Sequence, residues 1–260
     1  MSAARRGGIE PAGSGRILLW RGGSIWIGRA EASTDFHAHH AIQITLSLSA
    51  GSCRFRSLDE EWKEYAAAII AAHHPHAFEA RGELVALVFV EPESVDGHAI
   101  RDRFRHGITA LSADLARRDI DALAAAYDEH CADQELIDCA RTLIANLAAT
   151  GRRPTLPLDR RILLAIELLH ERLDRTISLA DVADLVHLSP ERFRHLFVEA
   201  TGIRFRPYVL WLRLGSAVSA YAAGASLTDA AHASGFADSA HLSRTFKRMF
   251  GVAPVSIRPE

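Results

Sequence analysis

The strongest constraint on this chain is that its C-terminal third states one pattern twice. Ile177-Ser178-Leu179-Ala180-Asp181-Val182-Ala183 returns as Ala225-Ser226-Leu227-Thr228-Asp229-Ala230-Ala231. Each copy then passes through a short turn into a second periodic stretch. In the first this is Phe193-Arg194-His195-Leu196-Phe197, closed by Gly202; in the second it is Leu242-Ser243-Arg244-Thr245-Phe246, closed by Gly251. The step from Phe197 to Gly202 equals that from Phe246 to Gly251, so one supersecondary plan is used twice. The plan reads as helix, turn, helix.

The local chemistry agrees with this at each step. Ser178 with Asp181, and Ser226 with Asp229, form capping boxes with Asp in place of Glu, satisfying the free amides that open a helix. His187-Leu188 and Gly235-Phe236 then make the turns, and Gly accepts the positive φ that a tight turn requires. Ser189-Pro190-Glu191 supplies an N-cap, a first-position Pro and an acid to the second helix of the first copy; Asp238 or Ser239 does so in the other. Phe193, Leu196 and Phe197, and Leu242, Phe246 and Met249, recur at helical spacing and predict one buried stripe each. The opposite faces carry Glu191, Arg192, Arg194 and His195, then Ser239, Ala240, His241, Ser243, Arg244 and Lys247. Arg pairs bidentately with guanine and hydroxyls meet base edges or phosphates, so such a face suits a DNA major groove. A single charged face is ordinarily just solvated; two on matching frames favour double-stranded DNA as partner.

These residues also carry a family resemblance. Leu185 to Gly202, the stretch Pro207-Tyr208 to Arg213-Leu214 and Ala217, and above all Gly235 to Pro254 resemble the DNA-binding domain of AraC/XylS transcription regulators. The resemblance implies two helix-turn-helix units joined by a long helix, here 206 to 222, with recognition helices in successive major-groove turns. Carried over by position, Glu191, Arg194, His195, Ser239, Ala240, His241 and Arg244 would read bases. His195 stands where the family usually has Arg, and Val198 where it usually has Lys. Gly215 lowers the connecting helix's propensity by about 1 kcal/mol against Ala.

Composition bounds the remainder. The chain has 260 residues, 48% of them hydrophobic, enough for one to three domains with a proper core. Charge alone says little: 13 Lys+Arg face 11 Asp+Glu from Pro157 onward, against 17 and 21 before it. The three cysteines, Cys53, Cys131 and Cys139, show no CxxC spacing and no even framework, and no apolar run is long enough to span a bilayer. A cytoplasmic protein without membrane contact is expected.

From Ile17 to about Pro92 the pattern is β: short apolar or alternating runs at Ile17–Trp20, Ser24–Gly28, Ala41–Leu48, Ser52–Arg56, Ala67–Ala71 and Glu83–Val90, separated by turn signals. Such spacing indicates a sandwich or barrel. Two histidine runs fall inside it, His37-Ala38-His39-His40 and His73-His74-Pro75-His76. His37 and His39 alternate onto one face of an extended segment, Gln43 lies on that face, and His76 closes the set from a neighbouring strand. Three imidazoles and an amide oxygen suit Zn, Ni or Fe. The segment resembles the cupin-like sensor half of AraC regulators, in which the metal motif has an acid where Gln43 stands. Three readings stay open: a metal site, an effector pocket without metal, and a structural role. Trp26, Gln43, Thr45, His76 and Phe89 are the candidate effector-lining residues.

Between 96 and 150, Leu111, Leu115, Ile120, Leu123 and Tyr127, then Leu136, Ile137, Ala140, Leu143, Ile144 and Leu147, recur at helical spacing. They form either core or the face on which two sensor domains pair. The expected organisation is α+β and multidomain: a flexible arm (1–15), a cupin-like β-barrel (16–95), a helical linker and dimerisation segment (96–150), a linker (151–157), and an all-α domain with two helix-turn-helix units (158–260). The function expected is sequence-specific DNA-binding transcription regulation under a small-molecule or metal effector, as a homodimer and with RNA polymerase as a further partner. The alternatives are a metal-dependent cupin enzyme fused to a helix-turn-helix domain, and an adaptor binding protein through the 111–147 helices.

Overall fold

The structure is a computed structural model and describes residues 12–49, 51–149 and 159–259. Most of the expected arm and all of the 151–157 linker lie outside these residues.

The N-terminal half forms around two strands that are buried on both faces, one almost wholly apolar and one alternating apolar with buried polar residues. β3 (Ile42–Ser47) and β8 (Leu84–Val90) are buried along almost their whole length and lie side by side at the centre of a seven-stranded sheet. Antiparallel ladders extend it outward through β2 (Gly23–Ala30) and β1 (Gly13–Trp20) on one side, and through β6 (Ala67–Ile70) and β9 (Ile108–Ala110) on the other. Three further strands, β4 (Cys53–Ser57), β5 (Lys63–Tyr65) and β7 (His76–Glu79), make a second sheet in the order β5-β4-β7. The expected barrel is therefore corrected to two sheets, with no closed ladder among the described residues; an isolated bridge between His37 and His76 links the loop before β3 to β7.

Strand alternation divides the large sheet into two buried faces. Ile25, Ile27, Ile44, Leu46, Val88 and Val90 point one way, into a core closed by α1 (Val95–Arg103), α2 (Ala113–Asp128) and α3 (Asp133–Ala149). Leu136, Ala140, Leu143, Ile144 and Leu147 of α3 are all buried there. This stripe is spent on the chain's own sheet rather than left open for a second copy. The segment is not purely helical, since β9 lies within it. Trp26, Leu87 and Phe89 point the other way, toward the second sheet and the C-terminal helices.

The C-terminal helices are α4 (Arg160–Glu171), α5 (Leu179–Leu185), α6 (Pro190–Thr201), α7 (Phe205–Ala222), α8 (Leu227–Ala233) and α9 (Ser239–Phe250). Ser178 Oγ accepts the Asp181 amide and Ser226 Oγ the Asp229 amide, each at 3.1 Å, so α5 and α8 start on identical caps. His187 (φ 55°) and Gly235 (φ 74°) make the turns. Ser189 caps α6 and Asp238 caps α9; Gly202 and Gly251 end them in the left-handed conformation, each donating its amide at 2.8 Å to the carbonyl four residues back. The two helical pairs thus share one backbone plan, with α7 between them.

Their burial differs. α5 and α6 pack with α4 and the first half of α7, burying Phe193, Phe197 and Tyr208. α8 and α9 pack with the rest of α7 against the N-terminal sheet: Trp26 stacks on Phe246 at 6.1 Å and lies 4.7 Å from Phe250 between ring centroids. A last strand, β10 (Ile257–Pro259), pairs in parallel with β1. The chain after 158 is therefore not an all-α unit; its end belongs to the N-terminal sheet.

Candidate functional site

The histidines gather where the loop before β3 crosses the start of β7. His37 and His76 exchange backbone hydrogen bonds at 3.0 and 2.9 Å, which sets their rings side by side. The ligand atoms of His37, His39 and His76 lie within 4.8 Å of one another, and all three residues are buried. In each ring Nδ1 faces a backbone carbonyl: Asp35 O at 2.8 Å, Ala41 O at 2.9 Å and His74 O at 2.9 Å. A carbonyl only accepts, so each Nδ1 carries the proton and each Nε2 a lone pair. His76 Nε2 is buried without a partner. His39 Nε2 meets Gln43 Oε1 at 2.9 Å, so two acceptors confront each other unless the amide turns over; Gln43 Nε2 lies 2.9 Å from Thr45 Oγ1. Burial, then the neighbouring His37, pushes His39 down to about 3, and burial holds His37 and His76 below the usual histidine range. The cluster is neutral and electron-rich.

A cavity of about 110 Å³ opens beside it. Trp26, Gln43, Phe89 and His37 line it, together with Phe250 and Val252 from the C-terminal helical region. Thr45 and His76 sit behind that lining, Thr45 against the Gln43 amide and His76 against His37. The Trp26 indole N–H is buried without an acceptor.

Sequence reasoning missed a second buried group that joins the two halves. His40 Nε2 lies 2.8 Å from Glu93 Oε2, and Tyr208 of α7 donates to Glu93 Oε1 at 2.7 Å. Burial works against the Glu93 carboxylate, but His40 and the hydrogen bonds from His40 and Tyr208 outweigh it and hold its pKa below the ordinary value. His40 was visible in the first histidine run; nothing local marked Glu93 or Tyr208 as its partners.

On α6, Glu191, Arg192, Arg194 and His195 are all exposed, and Glu191 forms ion pairs with Arg194 and His195. On α9, Ala240, Arg244 and Lys247 are exposed, while Ser239, His241 and Ser243 are half-buried. Arg244 has no side-chain hydrogen bond or ion pair among the described residues. Lys247 Nζ lies 3.1 Å from Asp35 Oδ2, so one cation on this face is held by the N-terminal half.

Residues 182–259 match a family model described as a helix-turn-helix domain. The chain is 36% identical over 115 residues to the uncharacterized HTH-type transcriptional regulator YidL of Escherichia coli (strain K12), a match covering 44% of this chain and 38% of YidL. It is 24% identical over 241 residues to the probable transcriptional regulator LumQ of Photobacterium leiognathi, covering 89% of this chain and 94% of LumQ. Apo ToxT from Vibrio cholerae has a similar structure, with a TM-score of 0.61 at 14% identity over 92% of this chain and 97% of that one. ToxT has also been solved with an unsaturated fatty acid bound. At this identity the likeness to ToxT is one of fold.

Proposed function

We propose that the chain is a DNA-binding transcription regulator of the AraC type that reads a specific DNA sequence through two helix-turn-helix units under the control of a small effector bound in its N-terminal half; the helix-turn-helix match over 182–259 and the transcription-regulator relatives support this reading. The observation that carries the reading is the repeated placement of α6 and α9. Each follows an identically capped short helix and a positive-φ turn, buries one stripe, and turns Arg-bearing residues outward. In this reading Arg192, Arg194, His195 and Glu191 serve the first unit, and Ser239, Ala240, His241, Ser243, Arg244 and Lys247 the second. Base edges are met by Arg194 and Arg244, and phosphates by the flanking cations.

The effector belongs in the cavity between β1, β2, β8 and the end of α9. Its lining is largely apolar, with Ser14, Thr34, His37, Gln43, Arg16 and Arg29 as polar groups, so it suits a small, mainly apolar molecule carrying a polar or anionic head. ToxT, which shares the fold, binds an unsaturated fatty acid, a ligand of the same broad character. Because Phe250 and Val252 belong to the wall, a ligand there touches both halves at once. It then binds different arrangements of the two with different affinity, as effector control requires. The helix-turn-helix match and the transcription-regulator relatives favour the regulator reading over a metal-dependent cupin enzyme. Among the described residues no helix is long and apolar enough to cross a membrane. Homodimerisation and contact with RNA polymerase belong to the same proposal and are measured by sedimentation and by transcription in vitro.

The test is duplex binding followed by fluorescence anisotropy across a salt series. Contacts with several phosphates give a log–log slope of about −0.9 per phosphate neutralised. Absence of duplex binding, or binding indifferent to salt, overturns the reading.

A further inference from the structure

One feature of the histidine cluster remains unexplained by an effector cavity alone: the lone pair of His76 Nε2 is enclosed with no donor to meet it. A buried acceptor without a donor is costly. A cation held between His76 and the neighbouring His37 and His39 rings resolves it. The backbone already does what a metal site needs from its surroundings: all three Nδ1–H groups are donated to carbonyls, which fixes the tautomer and aims each Nε2 away from the main chain.

We propose that His37, His39 and His76 bind one divalent transition-metal ion of the zinc or nickel type, and that this ion governs how the end of α9 is held on the N-terminal sheet. Three neutral imidazoles without a carboxylate favour these ions over calcium or magnesium, which take oxygen ligands. Metal–nitrogen bonds of about 2.0–2.1 Å require the three ligand atoms, which lie within 4.8 Å of one another, to draw closer on binding. Gln43 Oε1 is placed to be the fourth ligand.

The link to α9 is direct. The carbonyl that receives His37 Nδ1–H belongs to Asp35, whose amide donates to Gly251 O at 2.9 Å and whose carboxylate holds Lys247. Gly251 is the left-handed residue that ends α9, and a methyl group there would lie 2.7 Å from His37 Nδ1 and 2.4 Å from Asp35 O. A metal that fixes the His37 ring therefore fixes Asp35, and with it the end of α9 and the Lys247 ammonium.

The experiment uses the full chain purified without a polyhistidine tag, with Co(II) and Zn(II) as probes. One Co(II) per chain is expected, visible by its d–d absorption and displaced by Zn(II). His39→Ala and His76→Ala should bind none, while His130→Ala, at an exposed position, should bind as the parent does. Should those variants fold poorly, the parent still answers, because Zn(II) should raise its melting temperature and His76→Asn should abolish the rise. Less than a tenth of an equivalent of Co(II) in the parent, or equal binding by parent and histidine variants, overturns the site. The effect on DNA rests on the regulator reading: Zn(II) should change the duplex dissociation constant at least three-fold in the parent and not in His76→Asn. An unchanged constant overturns the link to α9. Duplex binding without metal binding leaves the regulator standing and removes the metal; metal binding without duplex binding does the reverse.

Discussion

Tyr208, in the helix that joins the two C-terminal helical pairs, donates its hydroxyl to Glu93 Oε1 at 2.7 Å, while His40 occupies the other carboxylate oxygen at 2.8 Å. The three side chains are buried, so this bond ties the C-terminal helices to the N-terminal sheet where water does not compete. Tyr208→Phe removes one donor from a buried carboxylate and should lower unfolding free energy by about 1.5–3 kcal/mol. Urea titration of both proteins measures it; equal midpoints would show that the bond contributes nothing.

Glu91 sits two residues before Glu93, against Trp211. Burial, then the Glu93 carboxylate, pushes it up to about 8. Its folded pKa lies above the unfolded value, so its contribution is fully present below the unfolded pKa and is lost as pH rises through the folded one. Between about pH 4.5 and 8 this group lowers stability by up to about 1.4 kcal/mol per pH unit. Glu91→Gln should flatten that decline. A variant with the parent's full pH dependence would assign it elsewhere.

Two glycines predict opposite outcomes for the same change. At Gly215, inside α7, an added methyl would meet only Leu19 Cδ2 at 3.9 Å, so Gly215→Ala gains helix propensity and should stabilise by up to about 1 kcal/mol. At Gly251 the φ is 73° and the methyl would strike Asp35 O, so Gly251→Ala should destabilise by about 1–2 kcal/mol or more. Thermal melts of the two variants should move in opposite directions; a shared direction would contradict the packing described for α7 and α9.

Arg244 is exposed on α9. Arg244→Ala should cost about 1–3 kcal/mol on the preferred duplex and relax discrimination at one base pair. Equal loss on all duplexes would make it a phosphate contact.

What was legible in the chain was local. Ser178, Ser226, Asp238, Gly202 and Gly251 act through neighbours a few residues away, so the helix starts and stops could be read directly. The apolar run of β8 and the alternation of β3 were legible as strands; that Gln43, Thr45 and Ser47 are buried as well was not. β5 and β7 are three or four residues long, too short for alternation to register, and β10 contains Pro259 and exists only because β1 offers it an edge. The stripe through Phe246 was readable as buried; that Trp26 covers it depends on tertiary packing between segments far apart in the chain. The same holds for the site. His37, His39 and Gln43 share a period and Asp35 lies two residues from His37, whereas the pairing of Glu93 with His40 and of Tyr208 with Glu93 depends on packing between segments far apart in the chain.

The measurement that bears most directly on the account is selection of bound sequences from random duplex DNA by the full chain. Two units built on one plan, both engaging one face of the duplex, predict two enriched blocks with centres about one helical turn apart, roughly 10–10.5 base pairs, and loss of preference within one block in the Arg244→Ala variant. A single enriched block, or none above the starting pool, would contradict it.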